Sequence, residues 1–107
     1  LVNVSNDAWF GDTIAPHQHL QIARMRALEA GRYLLRATNT GITAIIDERG
    51  RVTARAPQFQ PTALTGSFAA RGGATPYVRL GDWPLFAVLV TTVLAVTLDG
   101  RRRAARR

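Results

Sequence analysis

Between Asp82 and Asp99 the chain carries no charged residue, and from Leu85 to Leu98 it is apolar apart from Thr91, Thr92 and Thr97. Pro84 suits the first turn of a helix, where a missing amide costs nothing. The fourteen positions 85–98 span roughly 21 Å as a helix, less than the ~30 Å of a hydrocarbon core, so length alone favours a helix buried in a protein core. The flanks favour a membrane span instead. Trp83 stands at the front edge as an interfacial ring does, and the arginines after Gly100 can snorkel and hold a cytoplasmic end. A helix lying in the interface is the third reading. The spanning reading predicts a transmembrane helix over 83–100, a basic cytoplasmic tail over 101–107, and residues 1–82 on the outer face of the membrane.

The formal charge of +7 from fourteen basic and seven acidic residues invites a nucleic-acid reading. Five of those fourteen, Arg101, Arg102, Arg103, Arg106 and Arg107, fall in the last seven positions. Without them nine arginines face seven acids, a balance of +2, so the body is not a basic domain. An arginine tail without interleaved aromatics reads as a topology signal rather than a grip on nucleic acid, and no nucleic-acid partner is expected. All fourteen basic residues are Arg, which nothing in the chain's physics explains. There is no cysteine, which excludes disulfides, thiolate metal sites and a cysteine nucleophile within these residues.

At the other end, Leu1 to Val4 reads as a buried strand that Ser5, Asn6 and Asp7 break with side chains suited to bonding local backbone. Trp9 and Phe10 then sit on a loop before Gly11, where a strand's carboxyl end meets solvent and where α/β sheets hold ligands. Ligand contact and capping of the core are both open to these rings. Leu1 already lies inside an apolar run with no slack chain before it, so the expectation is a piece of a longer protein.

Asp12 or Thr13 can cap a helix over about 16–30, with Pro16 in its first turn and Gly31 as its stop. Leu20, Ala23, Ala27 and Ala30 recur at helical spacing, and Ile22 and Met25 widen that face. Residues 32–38 read as a strand, Asn39-Thr40-Gly41 as a tight connection, and 42–46 as a strand. Asp47 to Gly50 is a turn leading to a hairpin arm over 51–56. Pro57 and Pro61 bracket irregular chain, Ala63 to Phe68 is predicted as one more short strand, and 71–76 as loop. A strand, a helix and then hairpins suit the last part of a layered α/β sheet.

Candidate chemistry is sparse. His17 and His19 are two apart on the predicted helix and point in different directions, whereas a helical metal pair needs a spacing of three or four. No metal site and no cofactor are expected. Ser5, Asp7 and a histidine could suggest a hydrolase triad, but no Gly-x-Ser-x-Gly turn exists, and no glycine-rich phosphate loop precedes a helix. The chain holds no complete catalytic set.

Several linked stretches carry a family likeness. Val4-Ser-Asn-Asp-Ala-Trp-Phe-Gly-Asp12, His19-Leu-Gln-Ile-Ala-Arg-Met-Arg-Ala-Leu-Glu29, Arg36-Ala-Thr-Asn-Thr-Gly41, Thr75-Pro-Tyr77 and Gly81-Asp-Trp-Pro84 together resemble the carboxyl-terminal part of the bacterial apolipoprotein N-acyltransferases. That family sets a nitrilase (carbon-nitrogen hydrolase) domain in a membrane protein. The resemblance implies an α/β fold: the carboxyl-terminal part of an αββα nitrilase-like sandwich over residues 1–76, a linker over 77–82, then one transmembrane helix.

It further implies transfer of an acyl chain from a phospholipid donor to the amino group of the diacylglyceryl-cysteine of an apolipoprotein acceptor, in the bacterial inner membrane. The route is ping-pong, through a cysteine thioester, with a Glu base and a Lys at the oxyanion. Those three groups lie upstream of Leu1 in the family pattern, so no catalytic role falls on this chain and these residues alone are expected to be inactive. The substrate-binding residues it implies are Asn6, Asp7, Trp9 and Phe10. Arg26 and Glu29 look like a charge pair bracing the helix against the sheet, and Asn39 and Gly41 look like supports of strand geometry behind the site. The rivals are a soluble carbon-nitrogen hydrolase cleaving small amides and a non-enzymatic membrane-tethered module.

Overall fold

The computed structural model describes residues 1–105, which form two units, Leu1–Thr75 and the segment from Pro76 onward. In the first, β1 (Val2–Ser5) leads through a 3-10 turn (Ala8–Phe10) into α1 (Ala15–Ala30), and β2 (Leu34–Thr38), β3 (Ala44–Ile46) and β4 (Val52–Arg55) follow. The four strands form one sheet in the order β1-β2-β3-β4. β1 and β2 run parallel, with Asn3 opposite Arg36 and Ser5 opposite Thr38, as a strand-helix-strand crossover requires. The other two pairings are antiparallel, Leu34 facing Ile46 and Ala44 facing Arg55.

The core lies between α1 and the sheet: Leu20, Ala23 and Ala27 pack on Leu34, Ile42, Ala44 and Ile46. Ala27 and Ile46 are wholly buried, the close approach that an alanine face permits. Gly31 ends α1 in the left-handed conformation at φ 60°. Its amide bonds the Leu28 carbonyl and that of Arg32 the Ala27 carbonyl, so two end-of-helix acceptors are satisfied. At the other end no side chain caps the helix. Thr13 instead donates to the Phe10 carbonyl at 2.8 Å and so ties the 3-10 turn to the approach of α1. The predicted turn forms as well: Asp47 Oδ1 accepts from the amides of Arg51 and Arg49 at 2.8 and 2.9 Å, and Gly50 takes φ 73°.

Four further expectations for this unit need correction. β1 is an edge strand among the described residues, and its Val2 and Val4 are exposed while Asn3 and Ser5 are half-buried. Ile22 and Met25 do not widen the buried face of α1; both are exposed, because the face is set by Pro16, Leu20, Ala23 and Ala27. Residues 63–68 make no strand. They cross the sheet without ladder bonds, and Gly66 lies so close that a Cβ there would stand 2.5 Å from Ile45 Cδ1. Arg26 and Glu29 do pair, at 2.7 Å, but three residues apart along α1, so the pair braces the helix alone. Arg24 does reach out of the helix: its Nε donates to the Gly50 carbonyl, in the turn between β3 and β4, at 2.7 Å.

The second unit comprises α2 (Pro76–Leu80), a helix that starts at the last residue of the expected domain and runs into the expected linker 77–82, and α3 (Trp83–Ala105). α3 does not stop at Gly100. It runs on through Arg101, Arg102 and Arg103, with Asp99 and Arg103 paired at 2.9 Å one turn apart. Its 23 residues reach about 34 Å, so the span is long enough for a hydrocarbon core that the apolar run alone falls short of. It is the one helix among the described residues long and apolar enough to cross a membrane, and none of that window is buried within the chain. Thr91, Thr92 and Thr97 return their hydroxyl protons to carbonyls of Ala87, Val88 and Leu94 at 2.8 to 2.9 Å, which hides their polarity inside the helix. Arg106 and Arg107 of the expected tail lie outside the described residues.

Candidate functional site

The loop after β1 is built around one buried carboxylate. Ser5 Oγ donates to Asp7 Oδ1 at 2.8 Å, and His19 Nδ1 stands 3.0 Å from the same oxygen. Arg36 Nη2 donates to Asp7 Oδ2 at 3.0 Å. A carboxylate only accepts, so this contact assigns the proton of the His19 ring to Nδ1. The Asp7 and Arg36 side chains are 0% and 4% exposed, so the pair is a buried one. Burial pushes the Asp7 carboxyl up, but the hydrogen bonds from Ser5 and His19 and the positive charge of Arg36 outweigh it and hold the group below the ordinary carboxylate value. Arg36 also reaches Asn3 Oδ1 through Nη1, while its Nε is buried with no hydrogen-bond partner among the described residues.

The sequence places these groups together through the β1–β2 register. Arg36 sits opposite Asn3, so its guanidinium extends along the sheet beneath the loop that leaves β1 two residues later. From the β2–β3 connection comes a second set of ties. Asn39 Oδ1 accepts from the amides of Asp7 at 3.3 Å and Thr40 at 2.7 Å, and Asn39 Nδ2 donates to Asn6 Oδ1 at 2.7 Å. Asn6 Oδ1 also accepts from the Ala8 amide at 3.1 Å, which starts the 3-10 turn. Gly41 backs directly onto the hub, since a Cβ there would lie 2.1 Å from Asp7 Oδ2. Asn39 and Gly41 therefore support the loop itself more than strand geometry.

What the hub holds up is the aromatic pair. Phe10 packs edge-on to His19 with ring centroids 5.2 Å apart. Trp9 is 89% exposed, so in this chain it caps no core. Beside the loop, at the carboxyl ends of parallel β1 and β2, lies an open depression of about 380 Å³ lined by Val4, Ser5, Asn6, Ala37, Thr38 and Asn39.

The expected site residues thus separate by exposure. Asn6, Trp9 and Phe10 are exposed on the loop, whereas both oxygens of Asp7 are spent on internal partners, which leaves it nothing to offer a substrate. Ser5, Asp7 and a histidine do meet, but the carboxylate lies between hydroxyl and imidazole. A hydrolytic triad needs the imidazole in the middle, so this arrangement activates no nucleophile. His17 is exposed and apart from His19's contacts. Among the described residues no group of three or more His, Asp or Glu is placed to hold a metal. The roles of His19 and Arg36 escaped the sequence reading. The available signal was Arg36 itself, a charge in the middle of the apolar strand Leu34–Thr38, which requires a buried acid.

A family described as carbon-nitrogen hydrolase matches residues 1–77. Over 105 residues the chain is 59% identical to the apolipoprotein N-acyltransferase of Methylococcus capsulatus, covering 98% of this chain and 21% of that protein. It is 58% identical over 106 residues to the enzyme of that name in Nitrosomonas europaea, covering 96% of this chain and 21% of that protein. The similarity to the one in Azotobacter vinelandii is 53% over 106 residues, covering 99% and 20%. The chain spans about a fifth of the length of these curated relatives.

Proposed function

The chain belongs to the carbon-nitrogen hydrolase family, and from that premise we propose that it forms the carboxyl-terminal part of an apolipoprotein N-acyltransferase. In this reading its sheet and α1 complete an αββα sandwich whose remaining layers, together with the cysteine, glutamate and lysine of the reaction, come from residues outside 1–107. The absence of cysteine from these residues supports that division of labour. The thiolate attacks the acyl ester of a phospholipid and the lysophospholipid leaves; the amine of a diacylglyceryl-cysteine then attacks the thioester and frees the thiolate. Asn6, Trp9 and Phe10 contact substrate, Trp9 and Phe10 lining the path of the acyl chain or the lipoprotein amino terminus. Asp7, placed among the substrate contacts by the resemblance, serves from beneath as their anchor. α3 crosses the inner membrane, with the sandwich on the periplasmic side and the arginines in the cytoplasm.

The observation that carries the reading is a large ring held outward on a loop that is itself pinned by a buried ion pair: Trp9 is exposed while Asp7 and Arg36 beneath it are not. Such an arrangement spends buried charge to fix a surface aromatic, which a purely structural loop has no need to do. Replacing Trp9 and Phe10 together with Ala in the intact enzyme is expected to slow acyl transfer far more than it lowers expression. Equal losses of both would reduce the rings to a folding role. The family match taken alone also fits a soluble amide hydrolase, and α3 is the observation against it. Retention of the protein in membranes through alkaline extraction supports the span; release into the supernatant favours the hydrolase.

A further inference from the structure

A second cleft lies wholly within the unit that begins at Pro76. α2 and α3 join at Gly81, whose φ of 56° turns the chain and whose amide closes on the Tyr77 carbonyl at 2.7 Å. Around that turn opens a cleft of about 490 Å³ lined by Arg79, Leu80, Gly81, Asp82, Trp83 and Phe86. Its two charges are opposite, yet they do not pair with each other. Arg79 makes no ion pair or hydrogen bond among the described residues, and the Asp82 carboxylate takes the Tyr77 hydroxyl at 3.3 Å. Trp83 and Phe86 meet edge to face with centroids 6.4 Å apart, and Trp83 is 78% exposed.

A guanidinium without a partner among the described residues and a carboxylate that takes a single hydroxyl, both on the walls of one cleft, fit a ligand that carries both charges. Inorganic phosphate would engage Arg79 alone and meet repulsion from Asp82. A zwitterionic headgroup satisfies both: Arg79 pairs with a phosphodiester, and Asp82 accepts hydrogen bonds from a primary ammonium. The two rings then lie against the glycerol and the first methylenes, as aromatic residues do at the edge of a hydrocarbon layer. We propose that this cleft seats the headgroup of a phosphatidylethanolamine-type lipid. The inference rests on reading α3 as a bilayer span. The lipid is bound and not consumed: no thiol or imidazole lines the cleft to take an acyl group, and the neighbouring Tyr77 hydroxyl is committed to Asp82.

The test uses the intact protein, purified in detergent and examined by native mass spectrometry with diether phosphatidylethanolamine, phosphatidylcholine and phosphatidylglycerol, which have no ester to transfer. The wild type is expected to retain one phosphatidylethanolamine in preference to the other two. R79Q should lose retention of all three by about tenfold and R79K by less, since an ammonium keeps the charge but not the fork. D82N should keep binding yet lose the preference for the ethanolamine headgroup. Unchanged retention in R79Q, or an unchanged preference in D82N, overturns the proposal. Acyl transfer is assayed on the same wild-type sample: its absence there counts against the acyltransferase reading, and the lipid result stands or falls by itself.

Discussion

At Asp7 a single carboxylate takes bonds from Ser5, His19 and Arg36, and the consequences of that arrangement differ by partner. Asp7→Asn keeps the shape but leaves Arg36 charged and uncompensated inside the protein, and is expected to cost about 3 kcal/mol in thermal or denaturant unfolding of the intact protein. The pH dependence follows from the sign of the shift. The folded carboxyl lies below its ordinary 3.8, so the stabilisation is complete above that value and disappears as pH falls through the lower, folded one. Melting followed from pH 6 downward should therefore fall in the acid range for the wild type and be flatter for D7N; parallel curves would remove Asp7 as the cause. His19 acts differently, since it touches both the anchor at Asp7 and the ring of Phe10. In the proposed enzyme, His19→Ala should lower acyl-transfer kcat/KM by about tenfold through misplacement of the aromatic turn. His19→Asn, whose amide stands where Nδ1 does, should restore most of it, a rescue that a merely space-filling histidine would not give.

Between elements, the close approaches are what glycine permits. At Gly41 a methyl would meet Asp7 Oδ2 at 2.1 Å and its Cβ at 2.9 Å, on a side chain fixed by three partners. At Gly66 it would meet only the far end of Ile45, at 2.5 Å, which can rotate away. G41A is therefore expected to lower stability by about 1–3 kcal/mol and G66A by clearly less, measured as the shift in unfolding midpoint. The same contrast explains what was legible beforehand. α1, its stop at Gly31 and the Asp47–Gly50 turn are local chemistry, and periodicity and turn residues specify them. The loop Asn6–Phe10 was also legible as a candidate site, from its place after a strand. The hub beneath it was not, because Asp7 and Arg36 are 29 residues apart and meet only through the parallel register of β1 and β2. Residues 63–68 show the converse failure. Their composition suits a strand, but a strand is made by a partner, and this segment lies over a face of the sheet instead of along an edge.

For the whole molecule the exposed apolar surfaces are the ones that the rest of the proposed enzyme would cover. Val2 and Val4 on β1, and Ile22 and Met25 on α1, lie open on surfaces that the sandwich of the proposed enzyme would cover. α3 makes a separate demand, since its exposed leucines, valines and phenylalanine need a solvent of their own kind. Its ends differ in charge. The front edge carries Trp83 after Asp82, while the far end carries Arg101, Arg102 and Arg103 one after another. An excess of arginine next to a span is retained on the cytoplasmic side, and the proposed orientation, with the sandwich on the other face, rests on that bias. A fluorescent protein fused after Arg107 of the intact protein should therefore fold and emit in the cytoplasm, whereas alkaline phosphatase fused there should stay inactive. Replacing the five terminal arginines with Gln removes the bias and should yield a mixed population, with part of the phosphatase fusion gaining activity. An active phosphatase on the unaltered chain would place the sandwich in the cytoplasm, away from the periplasmic face where the proposed enzyme meets its acceptor.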